Sequence, residues 1–537
     1  MRSLCRFLVI TAVLWPAAVA AAQQPAIHVD PEKRQLIVNG NPYVIFGGEL
    51  GNSSAGTAAQ ADEILPRMAR LHLNTVLMPV AWEQLEPKEG NFDFSILDHW
   101  IDAARAQHLH LVLLWFGSWK NAFSEYAPAW VKADTRRFPR ARTADGAPTE
   151  ILSTFGAETL PADSRAYAAM LAHLREKDSA QHTVLMIQVE NEVGMLGSDR
   201  DRSEEANRAF AGNVPTELRE RLVMRGNHLS PELTAHFHPE GKTWHEVFGE
   251  AASEVFMAWR YATFVDAVTE AGKKQYDLPM YMNVQLPAYL ERAGDYPSGG
   301  PHPYYLDVYR ATAQHIDFYS PDIYWPEFAF WVNRYRAAGM PLFVPEARLD
   351  AAPFNALYAY GAAGAFGFCP FGIDSLNAAQ DGNKQPLIAQ VYEALASLGP
   401  SLAEDQRTGQ TRGIVLYANS PRGTQTVSLG GYLFQASLSR AWNTGALESQ
   451  NGAMLLVANG PDEFLAIGTG LTVKISRDPD TDAKQAGIAG IEEVKRDGSG
   501  WKAIARLNGD QSNQGRQLTM DSQAVRIYRI RLYAAER

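Results

Sequence analysis

Cysteine is almost missing from this chain, with two in 537 residues. Cys5 sits among the first few residues, and only Cys369 lies further on. One cysteine makes no internal disulfide, so stability has to come from a buried core. Long apolar runs are missing as well. Arg2 and Arg6 precede a short apolar stretch over 7–19, and Ala20-Ala21-Ala22 follow. That pattern predicts a signal peptide over residues 1–22, cut before Gln23, and therefore export to the periplasm or the cell exterior. No later stretch reaches the roughly 18 apolar residues of a membrane span, so no membrane insertion is expected. Positive charge is in deficit: the net formal charge is −11. That argues against a nucleic-acid partner, which needs a basic face. No G-x-G-x-x-G follows the first strand, as an open dinucleotide-binding sheet would show. His245-Glu246 lacks the second His of H-E-x-x-H, and Gly51 to Gly56 is not G-x-S-x-G. Neither a cofactor nor a metal is expected. The sequence does not define an oligomeric state.

What is present is a rhythm. Short apolar runs over 43–49, 75–82, 110–116, 184–189, 280–284, 318–324, 342–345 and 364–371 alternate with helical spacing over 61–71, 95–107, 164–178, 256–271, 328–338 and 386–398. Continuously apolar strands separated by helices mean a parallel sheet covered on both faces. Eight such units in a row predict a (β/α)8 barrel over 23–400. The long segment 194–278 falls on its active face and would shape a pocket or a lid. Beyond it the texture becomes Gly- and Thr-rich, with short alternating runs near 413–417, 454–457, 471–475 and 525–530. That predicts a smaller all-β sandwich over 401–537.

Barrel chemistry sits at the carboxyl ends of the strands. Those ends read Glu49, then Trp82-Glu83, then Trp115 with Trp119-Lys120-Asn121, then Asn191-Glu192, then Asn283 and Gln285, then Tyr324-Trp325, then Glu346 with Arg348. The stretch IQVENEVG runs an apolar strand straight into Glu190-Asn191-Glu192. Burying an unpaired carboxylate costs several kcal/mol, on the order of 2–7 for a neutral polar group and more for a charge. Glu192 after strand four and Glu346 after strand seven face each other across a barrel mouth. Paired carboxylates flanking a bond are what glycoside hydrolysis needs: one protonates the leaving oxygen, and the other attacks the sugar or activates water. Trp82, Trp115, Trp119 and Trp325 are candidate sugar platforms. Arg348 is a candidate partner for Glu346.

The residues then carry a resemblance. Asn191-Glu192 and Glu346 are similar to the four/seven carboxylate pair of the retaining (β/α)8 glycosidases. VENEVG, the stretch Leu36 to Pro42, Phe46 to Glu49 and WEQLEPKEGNFDF resemble glycoside hydrolase family 35, the β-galactosidases, and its relative family 42. The resemblance spans roughly residues 35 to 400. It implies Glu192 as acid/base, Glu346 as nucleophile, and Asn191 on the hydroxyl beside the anomeric carbon. Tyr324 is then a neighbour of the nucleophile. Glu49, Trp119, Lys120, Asn121 and Trp325 are the remaining substrate-binding candidates. The third strand reads WFGSWKNAF where the family carries an Asn-Ala-Glu-like sugar-binding set. The chain resembles the compact bacterial branch, whose members trim galactosyl side chains of polysaccharides such as xyloglucan. The implied activity is a retaining exo-β-galactosidase acting on a carbohydrate substrate. Two alternatives stand beside it: a β-glycosidase of other sugar or endo specificity, and an exported carbohydrate-binding protein without catalysis.

Overall fold

The computed structural model describes residues 25–378, 384–479, 485–498 and 500–535. The expected signal peptide lies outside them. Strands one to six of the barrel are Ile45–Glu49, Thr75–Ala81, His110–Phe116, Val184–Val189, Met280–Gln285 and Phe318–Ile323. Strand seven is split at Pro345 into Phe343–Val344 and Glu346–Ala347, and strand eight is only Gly367–Phe368. The first half of strand seven pairs with strand eight and the second half with strand six. Strand eight pairs with strand one, so the parallel ring closes. Proline has no N–H to give to a ladder, and that is where the strand changes partner.

Strands two and four are buried along their whole length, and strand three along all but His110. This is why they read as unbroken apolar runs. The outer helices bury one stripe. Ala58–Arg70 turns Ala61, Ile64, Leu65 and Met68 inward, and Thr57 caps it by accepting from the Gln60 N–H. A small antiparallel sheet, Ile27–Asp30, Gln35–Val38 and Asn41–Tyr43, precedes the barrel.

The segment after strand four holds four short helices, Glu204–Phe210, Thr216–Arg225, Pro231–Thr234 and Trp244–Phe248, before the long helix Ala252–Lys273. Its first residues fold back at the mouth, where Met195 bridges Ser298. No helix among the described residues is long and apolar enough to cross a membrane.

The C-terminal part is two antiparallel sheets of six and four strands. Ile414, Phe434, Leu456 and Ile530 are buried in the core that they share. Helix Ala352–Ala362 of the barrel lies on strands Thr411–Tyr417 and Asn451–Ala458. The approach is backbone to backbone. A Cβ on Gly361 would stand 2.7 Å from the Arg412 carbonyl oxygen, and one on Gly413 would stand 2.6 Å from the Ala362 nitrogen. The barrel core runs on into Val415, Leu455 and Ile467 of the sandwich.

Candidate active site

The end of strand four is built to hold two carboxylates. Glu190 and Glu192 both have left-handed backbone, φ 61° and 45°. That conformation is rare for residues other than glycine and costs on the order of 1–3 kcal/mol each. Two sets of contacts hold it. The Glu190 carboxylate accepts the Ser118 N–H at 3.2 Å and the Trp119 N–H at 2.7 Å, tying the strand-three loop to the strand-four loop. The Glu192 N–H donates to Asn283 Oδ1 at 3.0 Å. Beneath, Asp163 accepts from Trp115 Nε1 at 2.9 Å and from the Ser118 hydroxyl at 2.5 Å. Burial, the charge of Asp163 and a hydrogen bond to it push the Glu190 acid well above the usual carboxylate range. Glu190 is therefore the weaker acid of a buried pair.

Above this base four carboxyl groups meet one ammonium. One oxygen each of Glu192, Asp322 and Glu346 lies within 4.8 Å of the other two. All three side chains are buried. Glu346 accepts from the Tyr324 hydroxyl at 2.7 Å on one oxygen, and from the Asn191 and Asn283 amides at 3.3 Å each on the other. Asn283 also donates to Asp322 at 2.7 Å. Burial first, and then the charge of Glu346, push the Glu192 acid up to about 7, with Lys120 and a hydrogen bond to Asp322 acting the other way. Burial and the charges of Glu346, Glu192 and Glu49 lift Asp322 well above its ordinary range. Glu49 is fully buried, and neither of its oxygens meets a hydrogen-bond partner among the described residues. Burial and the Glu346 charge keep it protonated well above the usual range. Lys120 is the balancing cation. Burial works against its charge, but the surrounding carboxylates outweigh that and raise it. The three clustered oxygens could also hold a cation. Chemically, the set offers an anionic carboxylate with three donors on it, beside an acid poised near neutrality.

The structure brings Glu192, Glu346, Asn191, Tyr324, Lys120 and Glu49 together. Asn121 is peripheral: it is exposed, accepts from the Lys120 ammonium at 2.7 Å, and gives its own N–H to Asn191 Oδ1 at 3.3 Å. Trp119 is not at the mouth. It has no exposed surface, packs edge-on against Tyr261 and Phe264, and donates to the Leu152 carbonyl. Trp82 and Trp115 are equally enclosed, so three of the four candidate platforms are wall. Trp325 is half-buried, with its indole N–H fixed to the Leu286 carbonyl at 3.0 Å. Arg348 does not reach Glu346; it pairs with Asp350 at 2.5 Å on the surface. Reading the strand ends missed Asp322, Asp163 and the role of Glu190. Asp322 had a signal: a carboxylate inside the apolar run of strand six, directly opposite Glu346 in register.

Residues 53–244, which include Glu192 but not Glu346, match the family model described as Beta-galactosidase, that of glycoside hydrolase family 42. The matched model is thus that of the relative, and not of family 35. Residues 388–519 match a model described as a domain of unknown function, DUF5597. No curated protein matches the chain. Similar solved structures include the β-galactosidase of the psychrophilic Marinomonas ef1, at 14% identity and TM-score 0.45, covering 67% of this chain and 61% of that one. Another is the β-galactosidase of Bacillus circulans sp. alkalophilus, at 13% identity and TM-score 0.45, covering 67% and 57%. A third is the catalytic domain of a β-amylase from Paenibacillus polymyxa, at 11% identity and TM-score 0.44, covering 62% and 93%. The chain spans less than two thirds of the length of the two β-galactosidases. The family match thus makes residues 53–244 of the barrel similar to a β-galactosidase family of glycoside hydrolases.

Proposed function

We propose that this chain is a retaining exo-β-galactosidase that removes terminal galactosyl units from oligo- or polysaccharides, xyloglucan side chains among them. The observation that carries the reading is the closeness of Glu192 and Glu346. Retaining glycosidases hold their two carboxyl groups about 5–5.5 Å apart, and inverting ones about 6.5–9.5 Å, to leave room for a water. An oxygen–oxygen approach within 4.8 Å favours the retaining geometry. The sugar itself is carried by the family match and by the resemblance of VENEVG and WEQLEPKEGNFDF. Export by the leader over residues 1–22 is part of the same proposal.

The mechanism follows from the charges. Glu346 enters as the carboxylate, aimed by Tyr324, Asn191 and Asn283. It attacks the anomeric carbon while Glu192 gives its proton to the leaving oxygen. The product is a glycosyl ester on Glu346, which no longer carries charge. The charge of Glu346 was one of the causes holding the Glu192 pKa up. Its loss lowers that pKa at the moment when Glu192 has to work as a base on the incoming water.

The test is a panel of nitrophenyl β-glycosides: galactoside, glucoside, xyloside, mannoside, fucoside and arabinoside, with the chain starting at Gln23. The galactoside is expected to dominate kcat/KM. Another dominant sugar would overturn the specificity, and no turnover on any member would overturn the exo reading.

A further inference from the structure

A cavity of ≈ 370 Å³ opens between the barrel rim and the sandwich. Trp325, Arg348 and Asp350 line it from the barrel, and Asn419, Gln450 and Asn451 from the sandwich. It adjoins the nucleophile through the chain itself. Trp325 follows Tyr324, which donates to Glu346. Arg348 stands two residues after Glu346, no more than about 7 Å along an extended chain.

We infer that this cavity is a second sugar subsite, which holds the saccharide on the leaving-group side of the scissile bond; this rests on the exo-glycosidase reading. If the reacting sugar is terminal, the rest of the substrate can extend only on that side. The lining argues for a neutral, hydroxyl-rich ligand. Its two charged side chains, Arg348 and Asp350, neutralise each other through two hydrogen bonds. The sandwich offers three side-chain amides, each able to donate and accept. None of the three forms a side-chain hydrogen bond with the described residues. Trp325 and Tyr417 supply aromatic surface, and Trp325 is held in orientation by its bond to the Leu286 carbonyl. An aromatic body beside convergent amides suits a sugar ring, which has an apolar face and a polar rim. A lipid or an apolar peptide would leave these amides unpaired.

The walls are fixed relative to each other. The Tyr417 hydroxyl bonds to Asn355 Oδ1, and both residues line the cavity. The glycine-to-backbone approach of Gly361 and Gly413 sets the spacing behind them. The sandwich thus completes the binding surface of a barrel to which it is rigidly joined.

Two variants test this. Ala418 is exposed and lines the cavity, so Ala418→Trp fills it from a surface position. Asn451→Ala removes one amide. Each is assayed on β-galactosyl fluoride, whose one-atom leaving group does not fill the cavity, and on a galactosylated xyloglucan oligosaccharide. Ala418→Trp is expected to lower kcat/KM on the oligosaccharide about tenfold or more, and Asn451→Ala about threefold, through KM and not kcat. The fluoride is expected to be unaffected. Equal losses on both substrates, or no loss on the oligosaccharide, would overturn the subsite. If the wild type cleaves neither substrate, the proposed activity fails, and the subsite is decided by binding alone. Calorimetric titration of degalactosylated xyloglucan oligosaccharide should then show binding to the wild type that Ala418→Trp abolishes. No binding to the wild type, or equal binding to both, would overturn it.

Discussion

At the scale of single residues the account rests on unequal roles for similar carboxylates. Glu346 has three donors on it, and Glu192 has an acid pushed up to about 7. Replacing Glu346 with Gly should nearly abolish turnover, and azide should restore part of it as a glycosyl azide of inverted configuration. Wild-type rates in that variant would show that another group is the nucleophile. Glu192 also makes a prediction about stability. Its pKa is raised from 4.5 to about 7 in the folded chain, so between those values the folded state binds more protons than the unfolded state. Its contribution to stability is complete below pH 4.5 and is lost as the pH rises through about 7. Glu192→Gln removes this ionisation. The variant should melt above the wild type at pH 8 and level with it at pH 4, measured by calorimetry; the opposite trend would refute the raised pKa. Asp322→Ala leaves the Asn283 amide without its shortest partner. It should lower kcat about 10²-fold with little change in KM, the usual effect of slightly misplaced catalytic groups. That Glu192 and Glu346 come together was legible in sequence, because each stands at the end of an apolar strand and the two strands lie on opposite sides of the ring. Asp322 was passed over because it sits before the strand end and not after it. Trp119 was misread because enclosure by Tyr261 and Phe264 depends on a helix far along the chain.

At the scale of elements, the strands that could be read are those buried on both faces. Strands three and four have the bounds that their apolar runs suggest. Strand eight could not be bounded, because the apolar run over 364–371 contributes only Gly367–Phe368 to the ring and the flanking residues are loop. The split of strand seven depends on partner choice, which sequence does not show, although Pro345 marks the place. The turn after strand three is an element with a testable constraint. A Cβ on Gly117 would lie 2.3 Å from Trp115 Nε1 and 2.7 Å from Glu190 Oε1. Gly117→Ala therefore forces the buried acid pair apart and should destabilise the fold by about 1–3 kcal/mol, measured by denaturant unfolding. A neutral result would mean that the turn does not depend on this packing.

At the scale of the whole molecule, the barrel and the sandwich share a core, and their joint is as close as backbone atoms allow. A single cooperative thermal transition is expected, not two, because neither part can lose its structure without exposing the other's apolar face. Two separate transitions would contradict a shared core. The active centre belongs to this larger architecture: opposite strands of a closed ring bring Glu192 and Glu346 within 4.8 Å. The most direct test of the account is to trap the glycosyl ester. The chain is incubated with a galactosyl fluoride that carries fluorine in place of the hydroxyl beside the anomeric carbon, then digested and mapped by mass spectrometry. The account predicts one added fluorogalactosyl group, on the peptide that contains Glu346 and on that side chain. Labelling of a different carboxylate, or release of product with inverted configuration and no labelled peptide, would contradict it.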